Sequence, residues 1–317
     1  MSRFKTKGKV ISDVFSKSNK KLEDYAKQSN IKNISNNFFL EIISPLANYL
    51  ASLPKKETPY FICLTGGQGS GKTTMSEFIQ IVLTDFCKKR TVGFSIDDLY
   101  KTQKERRALA DEIHPLCEVR GMPGTHDMNL GFDLLESLSN ANPSSKTYIP
   151  SFNKLLDKHY PQSEWKIFEG KPDFIFFDAW CGGVKPISQT NWEPPMNKLE
   201  EEMDPEGIWS KWSNQELSKD YQRFFTLIDL LIFIRVPNME HVFQSRWLQE
   251  QTLEENTTDP EMLKNIMTKE EVYRFVMHYE RLTRHILKDM PNYCDILIDR
   301  DESFNFRFTK VPKIAHL

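Results

Sequence analysis

Residues 60–74 read Tyr-Phe-Ile-Cys-Leu-Thr-Gly-Gly-Gln-Gly-Ser-Gly-Lys-Thr-Thr, and no other stretch of the chain restricts its fold so tightly. From Gly66 to Thr73 the spacing is Gly, four residues, Gly-Lys-Thr, the pattern of a phosphate-binding loop. A Gly-rich turn can match that spacing by chance, but the surroundings match as well. Residues 61–64 form a short apolar run suited to a buried parallel strand. Behind the loop, Phe78, Ile79, Val82, Leu83 and Phe86 recur at helical spacing.

Such a loop asks for these residue types. Glycines let the backbone turn tightly and bring its N–H groups against phosphate oxygens. The helix that starts behind the loop adds the positive end of its dipole. Lys72 can reach the β- and γ-phosphates, and the Thr73 hydroxyl can ligate Mg²⁺. The expected nucleotide-binding set is Gly66, Gly67, Gln68, Gly69, Ser70, Gly71, Lys72, Thr73 and Thr74, with ATP and Mg²⁺ as cofactors.

Bulk properties exclude several classes. With 42 Lys and Arg against 44 Asp and Glu, the net charge of -2 gives no global reason to bind nucleic acid or an anionic membrane. The five cysteines are scattered, odd in number and without Cys-x-x-Cys spacing, which argues against a disulfide framework and a zinc site. No apolar run approaches the ~20 residues of a transmembrane helix, and no secretory signal opens the chain. The expected compartment is a reducing cytoplasm. Oligomeric state is left open.

Taken in order, residues 1–35 are polar and lysine-rich and read as an extension. Residues 36–317 read as one domain with lid and acceptor-binding insertions. Helical spacing over 38–50 precedes the loop. Apolar runs at 61–64, 91–96, 174–177, 230–236 and 295–298 predict five strands, and 307–311 a terminal hairpin. Segments 140–165 and 205–227 read as loop and as one long helix. Strands alternating with helices predict an α/β fold of the P-loop nucleoside triphosphate hydrolase type, with a mostly parallel five-stranded core sheet covered by helices on both faces. Asp178 closes the third run, where a Walker B carboxylate faces Mg²⁺; many buried strands end in Asp, so the pattern gains meaning from the loop at Gly66. Thr73 and Asp178 are the expected metal ligands.

Four further passages extend the pattern. They are Ser95-Ile-Asp97-Asp98-Leu99-Tyr100, Arg120-Gly-Met-Pro-Gly-Thr-His126-Asp127, Trp180-Cys-Gly-Gly-Val-Lys185, and Phe275-Val-Met-His-Tyr279-Glu-Arg281-Leu-Thr-Arg284. Together with the loop they resemble the D-glycerate 3-kinase-like P-loop kinases, relatives of the uridine kinase, phosphoribulokinase and pantothenate kinase group, over about residues 61–300. Leu99 stands where those kinases have Phe, Asp178-Ala179 where they have Glu-Gly, and Asn153-Lys154-Leu-Leu-Asp157 is only loosely like their Asp-Lys-Ser segment.

The resemblance implies an ATP-dependent kinase acting on a small, anionic hydroxyl acceptor, with D-glycerate foremost. It places Asp97 as the carboxylate that takes the hydroxyl proton, with Lys72 beside it. In an extended strand end Asp98 would point the opposite way. Arg246 falls in the helix corresponding to the kinase lid, where it reads either as a charge-stabilising arginine or as an ordinary surface one. Arg120, His126 and Lys154 are the candidates for binding the acceptor. Asp127 reads as a helix cap, and Tyr279 and Arg281 as packing and ion-pair residues. Two other readings remain: a kinase for a pantothenate-like or nucleoside acceptor, and a nucleotide-dependent regulatory or binding protein that transfers no phosphate.

Overall fold

The computed structural model describes residues 38–259, 263 and 266–312, so the lysine-rich segment 1–35 lies outside the described residues. Its strands are β1 (Tyr60–Thr65), β2 (Thr91–Ser95), β3 (Lys146–Ile149), β4 (Phe152–Asn153), β5 (Lys158–His159), β6 (Lys166–Glu169), β7 (Phe174–Asp178), β8 (Leu230–Arg235), β9 (Ile296–Arg300) and β10 (Phe306–Lys310). The helices used below are α1 (Ser44–Ala51), α2 (Lys72–Asp85), α3 (Gln103–Glu112), α4 (Met128–Ser139), α5 (Lys198–Met203), α6 (Ile208–Glu216), α7 (Met239–Asn256) and α8 (Lys269–Asp289).

One six-stranded sheet runs in the order β10-β9-β8-β1-β7-β2. All five strands expected from the apolar runs lie parallel in it, and the expected terminal hairpin adds β10 antiparallel at the edge. Alternation along the strands divides the core. Ile62 and Leu64 of β1 face Met75, Phe78, Ile79 and Val82 of α2 and Leu46 and Leu50 of α1. Phe61 and Cys63 face the other way, into a cluster with Phe177, Phe224 and Leu282. Phe78 is fully buried, edge-on to Phe39 at 5.0 Å; truncating a phenylalanine so placed costs about 3–5 kcal/mol.

Two expectations need correction. Segment 140–165 is not mostly loop: β3 pairs with β6, and β4 with β5, as two small antiparallel ribbons. Segment 205–227 is not one helix. After α6 the chain passes through a π-type turn, Leu217–Tyr221, with Lys219 outside helical geometry (φ −97°, ψ −117°), before a short turn at Gln222–Phe225. The widened turn accompanies two buried side chains, Leu217 and Tyr221, that face the core.

Topology sets the functional rim. The connection from β1 to β2 leaves a slot that β7 fills, and β8 takes the other flank of β1. The register pairs Asp178 with both Leu64 and Ser95. The ends of β1, β7 and β2 therefore open side by side at a switch point, where parallel α/β sheets bind ligands.

Candidate active site

The loop after β1 has the conformation that its glycines allow. Gly66, Gly69 and Gly71 have φ of +154°, +70° and +95°. A Cβ on Gly66 would lie 2.4 Å from the Ile234 carbonyl oxygen, and one on Gly69 would lie 2.4 Å from Ser245 Cβ. Gly71 ends the loop as the residue before α2, so Lys72 and Thr73 occupy its first turn, where helical N–H groups have no partner within the helix. Lys72 is buried and donates to the Gly67 carbonyl at 3.2 Å. Burial lowers its pKa against the opposing pull of Asp178 and Asp97.

Thr73 donates its hydroxyl proton to Asp178 Oδ2. Burial raises the Asp178 carboxyl, and Lys72 and Thr73 pull it back. The two expected metal ligands thus converge on one spot beside Lys72. A hydroxyl, one carboxylate, water and phosphate oxygens form the donor set Mg²⁺ accepts. Among the described residues no group of three His, Cys, Asp or Glu side chains forms a protein-only metal cage.

Asp97 sits on a 3-10 turn, Ile96–Leu99, rather than on an extended strand end. Ser95 caps that turn, and Asp98 completes the capping box by accepting from the Ser95 amide at 2.9 Å. Asp98 also accepts from the Phe152 amide at 3.2 Å. Burial pushes Asp98 up to about 6. The neighbours still diverge, as expected, though by the turn and not the pleat. Asp97 Oδ1 accepts from the Tyr100 hydroxyl at 2.5 Å, and Oδ2 pairs with Lys154 Nζ at 2.5 Å. Burial alone would raise Asp97, but Lys154 and Tyr100 outweigh it and hold the carboxyl well below the usual carboxylate range. Asp97 raises Lys154 in return.

The three acceptor candidates fare differently. Lys154 presents its ammonium at the rim, with the side chain 60% exposed. Arg120 is committed elsewhere: it donates to Asp157 Oδ1 at 2.7 Å and to the Lys154 carbonyl at 2.8 Å, so its fork holds the turn that carries Lys154. His126 is 1% exposed, and burial lowers its pKa to about 3. A neutral, buried imidazole supplies no charge to an anion. Tyr221 fixes its tautomer. That hydroxyl accepts from the Gly124 and His126 amides, so its own proton goes to His126 Nδ1, 2.7 Å away, leaving the ring hydrogen on Nε2. Nε2 has no partner among the described residues. The ring stacks on Tyr100 with centroids 4.9 Å apart, backing the residue that holds Asp97.

The Arg120–Asp127 passage is anchored from the interior. Tyr279 donates to the Arg120 carbonyl and Trp180 to the Gly121 carbonyl. A Cβ on Gly121 (φ +121°) would fall 1.9 Å from the Tyr279 hydroxyl oxygen. Tyr279 is therefore a packing residue, as expected, and so is Arg281, buried against Glu200. Asp127 caps α4. Arg246 lies on α7, paired with Glu250 four residues on and 5.6 Å from the Phe275 ring centroid. In this structure it reaches Glu250 and not the loop.

Two arginines escaped the sequence. Arg106 looks like any residue of a polar helix, yet it is 2% exposed and donates to Asp157 from α3. Arg300, at the end of β9, is buried and donates to the Gly69 carbonyl at 2.5 Å and to Ser245 Oγ at 3.0 Å, tying the phosphate loop to α7. Neither arginine is distinguished by its local sequence from an ordinary surface arginine.

Comparison with known proteins agrees with this geometry. No protein-family model matches the chain. The uncharacterized kinase mug58 of Schizosaccharomyces pombe is 28% identical over 255 residues, 75% of this chain and 85% of that protein. The chloroplastic D-glycerate 3-kinase of Arabidopsis thaliana is 28% identical over 228 residues, 70% of this chain but 46% of the plant protein. The D-glycerate 3-kinase structure from Cryptococcus neoformans superposes with a TM-score of 0.61 at 19% identity, covering 84% of this chain and 99% of that one. The chain is similar in sequence to a D-glycerate 3-kinase and to other kinases. Its fold is that of the P-loop kinases. The aligned stretch spans under half of the Arabidopsis enzyme, and that relative is a plastid protein, so relatedness by itself assigns no compartment. Among the described residues no helix is long and apolar enough to cross a membrane.

Proposed function

We propose that residues 36–317 form one kinase domain that transfers the γ-phosphoryl group of ATP to a hydroxyl of a small anionic acceptor, with D-glycerate foremost. One observation carries this reading. A second carboxylate, Asp97, stands on the rim beside the phosphate loop and the Thr73–Asp178 pair, facing an exposed lysine. A nucleotide switch has no use for it. The kinase relatives support the reading, and two of them are glycerate kinases by name. The five free cysteines suit the reducing cytoplasm we propose for it.

The loop amides and Lys72 would hold the β- and γ-phosphates, and Thr73 and Asp178 would hold Mg²⁺. Bound there, Mg²⁺ neutralises charge on the phosphate oxygens. Asp97 accepts the acceptor hydroxyl's proton as its oxygen bonds to the γ-phosphorus and ADP leaves. Because the proton moves late in a loose transition state, Asp97 needs no raised pKa for this once Lys154 has turned from it to the acceptor. Lys154 takes the acceptor's anionic group, while Arg120 positions Lys154 and His126 positions Tyr100. Arg246 is the lid arginine, its side chain exchanging Glu250 for the transferring phosphoryl group.

ADP release tests this with D-glycerate, other hydroxy acids, pantothenate and nucleosides as acceptors. The expected result is stimulation by hydroxy acids, D-glycerate most of all. Asp97→Asn should lower stimulated turnover by about 10²–10⁴, the usual range for a general base, with ATP still bound. Stimulation by nucleosides or pantothenate alone would move the acceptor assignment to those classes. Stimulation by none would favour the switch, and an Asp97→Asn variant as active as wild type would remove Asp97 from the base role.

A further inference from the structure

Lys154 occupies the turn between β4 and β5, and its backbone and side chain are held very differently. The backbone is fixed. The Lys154 carbonyl accepts from Arg120, Asn153 Oδ1 accepts from the Leu155 and Leu156 amides, and Asp157 is gripped by Arg106, Arg120 and Gln103. The side chain is anchored at its tip by Asp97 and has a largely exposed stem of four rotatable carbons. A fixed base under a swinging ammonium is the construction of a movable contact.

The pairing also bears on the nearest reactive group. While Lys154 sits on Asp97 Oδ2 and Tyr100 on Oδ1, the carboxylate is a poor proton acceptor for any hydroxyl, including that of water. The geometry points to Lys154 as a substrate-operated guard, paired with Asp97 in the absence of acceptor and drawn off it by the acceptor's own anionic group. This rests on the kinase reading above and narrows its substrate class to hydroxyl compounds that carry a carboxylate or phosphate within reach of the lysine. A neutral nucleoside or polyol has nothing to draw the ammonium away.

The guarded step and the productive step share their chemistry. In transfer, the acceptor oxygen bonds to the γ-phosphorus as its bond to the β–γ bridging oxygen breaks; Asp97 takes the hydroxyl proton and ADP departs. In wasteful hydrolysis, water takes the acceptor's place and inorganic phosphate is released. The guard blocks the second reaction without an outside reagent, because the same Asp97 would have to accept water's proton.

The test measures ATP hydrolysis without acceptor, and phosphorylation of D-glycerate and of glycerol, in wild type, Lys154→Met and Lys154→Arg. Lys154→Met should raise acceptor-free hydrolysis about tenfold, a fraction of what a freed general base contributes. It should also lower the preference in kcat/KM for D-glycerate over glycerol at least tenfold. Lys154→Arg keeps the cation and should keep hydrolysis low. Acceptor-free hydrolysis that is unchanged, lowered or undetectable in Lys154→Met overturns the guard, since a lysine serving only to stabilise phosphoryl charge would slow both reactions on removal. An unchanged preference overturns its release by the acceptor's anion. Failure of every acceptor with wild type would sink the kinase reading instead, and the hydrolysis comparison would still decide the guard.

Discussion

The phosphate loop between β1 and α2 and the turn between β4 and β5 flank Asp97, and they are held in place by different forces. The loop is fixed by exclusion. Its glycines adopt backbone angles that other residues resist, and Ile234, Ser245 and Phe306 stand where side chains would go. The turn is fixed by charge. Asp157, itself at φ +50°, draws in Arg106 and Arg120 from segments 51 and 37 residues away. Close packing leaves the loop one geometry, which suits a donor that is always a triphosphate. Ion pairs with an exposed edge tolerate exchange of partners, which suits a site whose contacts must change when an acceptor enters.

The most severe way to break this contrast is at Lys72. Lys72→Met should reduce turnover by about 10²–10³, the cost of losing one donor aimed at transition-state charge. Steady-state kinetics measure it, and unchanged kinetics would remove Lys72 from the cradle. A finer probe is Asp157→Asn, which frees Arg106 and Arg120. The loss of a partly buried charge partner should raise the acceptor's KM by about tenfold, while KM for ATP stays within about twofold. Equal rises in both constants would show that the halves are not separable.

The smallest expected effect concerns pH. His126 titrates at about 3 in the folded chain, because burial disfavours its cation, against 6.5 for a free imidazole. Between those values the unfolded chain binds a proton that the folded chain does not. Its contribution is therefore fully present above about 6.5 and is lost as pH falls below it, by up to about 1.4 kcal/mol per pH unit. Urea unfolding at pH 7.5 and 5.5 should show a gap that His126→Gln narrows by about 1 kcal/mol. An equal gap in both proteins would assign the acid sensitivity to other groups.

The same contrast explains what was legible in the sequence. Buried parallel strands are continuous apolar runs, so 230–236 and 174–177 announced β8 and β7, and the loop carried its own spacing. The β4–β5 ribbon is invisible in the sequence because its strands are two residues each, and β3 and β6, at four residues, are barely long enough for a period to register. The break at Lys219 was missed because the apolar residues on either side keep helical spacing through it. Arg120 and His126 carried the right motif, but their partners, Asp157 and Tyr221, lie 37 and 95 residues away, beyond what spacing reveals.

The buried link from Arg300 to Gly69 has a consequence for biosynthesis. The phosphate loop is translated early, but what shapes it arrives late: Ile234 with β8, Ser245 with α7, and Arg300 at the end of β9. A nascent chain that has emerged only through β7 displays every residue of the nucleotide motif without the walls that give the motif its form. The ribosome has to deliver Phe306, on β10 at the edge of the sheet, before ATP meets a finished cradle, which makes nucleotide binding a report that the sheet has closed to its last strand.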